Sequence, residues 1–123
     1  MPSSKREQAR IERRLVASLT DACETAKAQI DGFAWLTHVV DNAAFPASLH
    51  VVWVFATQAD KARALASGQG ARMLELTARA LAEAGIELPA LAAHVQYDSE
   101  EQCRRVNGGD WQRRLARLNP RRG

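Results

Sequence analysis

Cations and glycines carry most of the chemistry available to this 123-residue chain. Seven arginines crowd the end, "RRVNGGDWQRRLARLNPRRG": Arg104, Arg105, Arg113, Arg114, Arg117, Arg121 and Arg122. A guanidinium presents a planar fork of donors that matches phosphate bidentately, so arginine in place of lysine points to polyanion contact. A second constellation is "ALASGQGARML", residues 64–74, in which Gly68 and Gly70 interrupt an alanine-rich helix. A helix that starts after such a break presents free amides and the positive end of its dipole, and both attract phosphate. Ser67, Gly68 and Gly70 would form the cradle. Lys61 and Arg63 precede it, and Arg72 lies one turn beyond, within reach of a backbone phosphate. The alternative is plain punctuation, with Gly68 ending one helix and Gln69-Gly70 leading to the next. No Lys-Ser or Lys-Thr follows the glycines, so this is not a nucleotide-hydrolysing loop.

Lys5, Arg6, Arg10, Arg13 and Arg14 form a further basic patch near the start. The helix dipole disfavours them there, and a polyanion would relieve that cost; a solvated helix face is the plainer account. His38, His50 and His94 would meet on a sheet face if the turn between the first two strands centres near Ala44, placing His38 opposite His50. No carboxylate or cysteine joins them at ligand spacing, so they read as exposed sheet histidines and no metal is expected. Cys23 and Cys103 are far apart and read as reduced thiols. No nucleophile–base pair or close carboxylate pair emerges, so neither an enzyme nor a cofactor is expected.

These residues need elements to hold them. Ile11, Leu15, Leu19, Ala22, Ala26 and Ile30 recur at steps of three and four, which predicts an amphipathic helix from about Ser4 to Ile30, ended by Gly32. The period then drops to two. "FAWLTHVVD" predicts a strand with Phe33, Trp35, Thr37 and Val39 on one side and Leu36, His38 and Val40 on the other. "LHVVWVFAT" predicts its hairpin partner, with Leu49, Val51, Trp53 and Phe55 inward beside Phe33 and Trp35. Thr57 is placed to cap a short helix, "QADKARALA". After the glycines a second helix runs from about Ala71 to Ala84, closed by Gly85. "LAAHVQYD" predicts a third strand with Val95 and Tyr97 inward. Ser99 and Gln102 read as a capping box for the next helix. Asp110 caps a last one carrying Trp111, Leu115 and Leu118 on one side, before "NPRRG" frays.

The order is α-β-β-α-α-β, that of a type II KH-like domain. The chain further resembles the ribosome-binding factor A family, bacterial proteins of small-subunit assembly, over roughly Ile11 to Glu101. "GFAWLTHVVDNAAFPASLHVVWVF" is similar to that family's hairpin. "ALASG" resembles the Ala-x-Gly kink between its two helices, and "LPALAAHVQYDSEE" resembles its last strand. The resemblance implies an α+β fold with a three-stranded mixed sheet, helices on one face and a C-terminal helical tail. It also implies an RNA-binding, ribosome-associated role, with structured RNA or the ribosomal small subunit as partner.

Length and composition agree with one globular core, read as a domain over residues 1–98 and a basic helical extension over 99–123. Net charge is +3, and the positive excess sits in residues 99–123, while residues 32–98 carry a net negative charge. That distribution puts nucleic-acid contact at Lys61, Arg63, Ser67, Gly68, Gly70 and Arg72 in the kink and at Arg104, Arg105, Arg113, Arg114 and Arg117 in the tail. Two other partners fit the same sequence. Duplex DNA would meet the "DWQRRLARL" helix, as for an accessory protein or transcriptional regulator. A second copy would dock on an open sheet face carrying Leu36, Val40, Val52 and Val54. No apolar run is long enough for a membrane span and no signal-peptide pattern opens the chain, so the expected compartment is the cytoplasm.

Overall fold

The computed structural model describes residues 5–119. A long helix, α1 (Lys5–Gln29), leads through Gly32 into a hairpin of β1 (Phe33–Val39) and β2 (His50–Phe55). Two helices follow, α2 (Gln58–Ala66) and α3 (Gln69–Glu83), and return the chain to β3 (Val95–Ser99). The end of the chain forms α4 (Glu100–Asn107), α5 (Trp111–Leu115) and a 3-10 turn over Ala116–Leu118. The sheet order is β1-β2-β3, antiparallel between β1 and β2 and parallel between β2 and β3. This is an α+β fold with the expected α-β-β-α-α-β order and a three-stranded mixed sheet. The predicted helix start at Ser4 and the fraying of "NPRRG" fall partly outside the described residues, as do Arg121 and Arg122.

The apolar stripe of α1 does what its spacing demands. Leu15, Leu19, Ala22 and Ala26 are buried, and α1 packs against α3 and the sheet. From the sheet, Phe33, Val51, Trp53, Phe55 and Val95 join the same cluster, together with Met73, Leu76, Ala80 and Leu81 of α3. The Phe33 ring lies 5.1 Å from the Trp53 ring. A fully buried Trp must still satisfy its ring N–H. Trp53 donates from Nε1 to Thr77 Oγ1 at 3.0 Å, and Thr77 donates onward to the Met73 carbonyl at 2.8 Å.

The hairpin departs from strict alternation. Phe33 faces Phe55, but Trp35 faces Val54, so an extra residue is accommodated near Ala34 as a β-bulge. Every later residue of β1 is displaced by one position, which exchanges its faces. Phe33, Leu36 and Val40 join the main core. Trp35, which the alternation had placed beside Phe33, lies on the opposite face instead. The histidine register shifts as well: His50 pairs with Val39 and His38 with Val51. His38 then meets Glu12 of α1 at 3.2 Å, on the core side. His50 and His94 remain neighbours, with ring centroids 6.0 Å apart. The three imidazoles therefore do not share a face, and the described residues contain no group of three or more metal-type ligands. The third strand is also shorter than predicted, because Leu91–His94 forms a 3-10 turn that leads into it.

Val52 and Val54, on the face opposite the main core, are 1% and 0% exposed. The C-terminal helices cover them. The Trp111 ring of α5 meets Trp35 edge-on at 4.8 Å, and Asn119 donates to the Ser48 carbonyl at 2.8 Å. The open apolar surface expected for a second copy does not exist in that form: Val52 and Val54 are roofed, and Leu36 and Val40 point into the main core. Among the described residues, no helix is long and apolar enough to cross a membrane.

Candidate nucleic-acid interface

Local capping builds the kink. Thr57 caps α2 as its position predicts, with Oγ1 accepting from the Asp60 amide at 3.0 Å. At the other end the Ser67 amide closes on the Arg63 carbonyl, and the Ser67 hydroxyl donates to the Ala64 carbonyl. Gly68 then takes φ +86°, a left-handed conformation that costs an L-residue about 1–2 kcal/mol. This turn redirects the chain directly into α3, which starts at Gln69, two residues earlier than its periodicity implies. Gly68 occupies the N-cap of α3 and supplies no side-chain acceptor. The Ala71 amide closes back on the Gly68 carbonyl at 3.3 Å, and no side chain caps the amides of Gln69 and Gly70 before it. Gly68 is exposed, and a Cβ built on it would meet nothing within 4 Å. Gly70 has a different reason to be bare: a Cβ there would lie 3.4 Å from Leu65 and 3.9 Å from the Tyr97 hydroxyl. It allows α3 to start close against α2.

The charged residues around the joint are already engaged. Arg63, 67% exposed, pairs with Asp60 at 2.9 Å. Arg72 is held between Gln29 Oε1 at 2.9 Å and the carboxylate of Glu75. Lys61 is half-buried on α2. A shallow cleft of about 260 Å³ runs from the end of α1 to the joint, lined by Gln29, Asp31, Arg63, Ser67 and Gln69. The cradle thus offers amides, a hydroxyl and two guanidinium groups, with three carboxylates nearby. Each pair has one exposed and one partly buried member, and near-surface pairs of this kind are weak enough for a phosphate to compete with Asp60 or Glu75 for the arginine.

The tail is less available than its composition implies. Arg114, expected to meet phosphate, is 6% exposed and sits on the face of α5 that docks on the sheet. It donates through Nε to Asp98 Oδ2 at 2.6 Å and through Nη2 to Asp98 Oδ1 at 2.9 Å, while Nη1 reaches Asn107 at 3.0 Å. Arg117 reaches the same carboxylate at 3.4 Å from a half-exposed position. Burial works against the Asp98 charge. The Arg114 hydrogen bonds, the Ser99 amide and the charges of Arg114 and Arg117 outweigh it, so the carboxyl is held below the usual aspartate range. Arg114 is raised above the usual arginine value by the same hydrogen bonds. The correction is physical. Trp111, Arg114, Leu115 and Leu118 share one helical stripe, so Arg114 sits inside the apolar seam that docks on the sheet. Asp98, on the same sheet face as Val54, was the acid that such an arginine required.

Arg104, Arg105 and Arg113 are exposed. Arg105 bonds Gln102. Ser99 caps α4 as expected, accepting from the Gln102 amide at 3.0 Å, although the Gln102 side chain turns to Arg105 and leaves the reciprocal bond of the capping box unmade. The tail helices lie on the face of the sheet opposite α3. Lys61, Arg63, Ser67, Gly68, Gly70 and Arg72 therefore form one region, and Arg104, Arg105, Arg113 and Arg117 another. Both cysteines are free thiols, and burial pushes Cys103 and Cys23 above the ordinary value, which favours the thiol over the thiolate. No protein-family model matches the chain, and no curated protein or solved structure matches it.

Proposed function

We propose that this protein is a non-catalytic RNA-binding module of KH-like type, acting on the ribosomal small subunit or its structured RNA. The observation that carries the reading is the joint at Gly68. An exposed left-handed glycine opens α3 with no side-chain cap, between two arginines whose present partners are the partly buried carboxylate of Asp60 and the exposed one of Glu75. A backbone phosphate is the ligand with the charge and acceptor geometry for that arrangement. The small-subunit assignment comes from the family resemblance of the hairpin, the kink and the last strand. Two measurements test the reading together: binding of structured RNA at low and high salt, and co-sedimentation with small ribosomal subunits. Salt-sensitive binding of both is expected, because each phosphate contact releases counterions. Failure of both removes the proposal, and stronger binding of duplex DNA transfers the protein to the DNA-binding class.

A further inference from the structure

Around the joint, Asp60, Glu75 and Asp31 offset part of the positive charge of Arg63 and Arg72. A larger excess of positive charge lies at the other end of α1. Lys5, Arg6, Arg10, Arg13 and Arg14 are all exposed. Arg14 is partly used: its Nη2 donates to the Glu83 carbonyl at 3.1 Å, at the end of α3. Glu12 turns toward His38. Among the described residues, none of Arg6, Arg10 and Arg13 meets a carboxylate.

Helix geometry aligns these three. At 3.6 residues per turn they fall within a sector of about 60°, opposite the buried stripe of Leu15, Ala22 and Ala26. Over seven residues the stripe runs about 10 Å along the helix. Three guanidinium groups in line, at the end of a helix whose dipole disfavours them, match a partner that carries a row of negative charges. A nucleic-acid strand is such a row, and arginine is suited to its phosphates.

From this we infer that the Arg6–Arg10–Arg13 face of α1 is a second contact for the same RNA, which the chain therefore engages at two places. The inference rests on the RNA-binding reading above. It adds a length requirement. Arg72 bonds Gln29 at the far end of α1, so the joint lies about 24 Å along the helix from Arg13. At the B-DNA rise of about 3.4 Å that is roughly seven base pairs, and it is more in A-form RNA, whose rise is shorter. The preferred ligand is an RNA helix at least that long, not a short single strand.

The test compares three proteins in salt titrations with a long RNA hairpin and with a four-base-pair one. They are the wild type, the triple variant Arg6→Gln, Arg10→Gln and Arg13→Gln, and the pair Arg63→Gln with Arg72→Gln. The three α1 positions are exposed, so an unchanged urea midpoint certifies the fold. The triple variant should lower the slope of log affinity against log salt by about 2 to 3, and should lose the preference for the longer hairpin. If the joint variant weakens binding while the triple variant keeps the wild-type slope and length preference, the α1 contact falls and the RNA-binding reading stands. If the wild type binds neither hairpin, both fall. If polyglutamate of equal charge competes with RNA equally well, the stripe recognises acidic protein and the inference is overturned.

Discussion

Replacing Arg114 by Met should be among the most damaging single changes in the C-terminal segment, although composition alone would class this arginine as a solvated cation. The substitution keeps most of the aliphatic stem and removes the guanidinium. Asp98, 3% exposed, then loses two short hydrogen bonds and its opposing charge beneath α5. Breaking one side of a buried ion pair costs about 3–5 kcal/mol, because the remaining charge is stranded. Arg117 compensates little from its exposed position. At about 4 °C per kcal/mol for a chain of this length, Tm should fall by roughly 12–20 °C. Adding Asp98→Asn should recover most of the loss, since it removes the stranded charge while Asn Oδ1 can still accept from the Ser99 amide. The pH dependence has a definite sign. In the wild type the Asp98 carboxyl lies below its unfolded value, so its contribution is full above about pH 4 and is lost as pH falls through the folded value. In Arg114→Met the unpaired, buried carboxyl titrates higher, so acidification relieves the variant and narrows the gap. Urea midpoints followed by tryptophan fluorescence, at pH 7 and pH 4, report both effects. A loss below 1 kcal/mol at pH 7, or a gap that widens in acid, would refute the assignment of a buried pair.

Two of the left-handed glycines, Gly32 and Gly68, have different surroundings and should respond differently to alanine. Gly68→Ala faces only backbone strain, about 1–2 kcal/mol, whereas at Gly32, φ +81°, the new methyl would lie 2.6 Å from Asp60 Cβ and the loss should be clearly larger; equal urea midpoints would contradict this. Thr77→Val leaves the buried Trp53 N–H without an acceptor, and denaturation should show a loss of about 1–3 kcal/mol. Burial and the neighbouring His94 hold His50 below the usual histidine value. Its contribution is therefore full above about pH 6.5 and declines as pH falls through its folded value; His50→Gln should flatten that part of the stability–pH curve.

The sequence makes the element order legible because helix stripes and strand alternation are strong local signals. Thr57, Ser99 and Asp110 cap helices where their positions predict, each accepting from the amide three residues on. The Gly68 joint is also legible, since few residues other than glycine take its φ. The bulge near Ala34 is not. No glycine or proline marks it, and one extra residue moves Trp35 from the core face to the face under α5. The histidine register fails for the same reason, compounded by where the turn closes. Arg114 illustrates a different limit. Its place in the Trp111–Leu115–Leu118 stripe was readable, but the acid that makes burial tolerable lies on another element, and only tertiary structure brings Asp98 beneath it. The eleven residues expected at a nucleic-acid surface divide for the same reason, because nothing local indicates that the tail covers the sheet face opposite α3.

The most direct test of RNA contact at the Gly68 joint is an NMR titration of the full chain with a structured RNA at low and high salt. The account predicts amide shifts at Arg63, Ser67, Gly68, Gly70 and Arg72 that appear at low salt and retreat at high salt. Shifts confined to residues 104–117, with the joint unchanged, would contradict it and leave only a nonspecific basic tail.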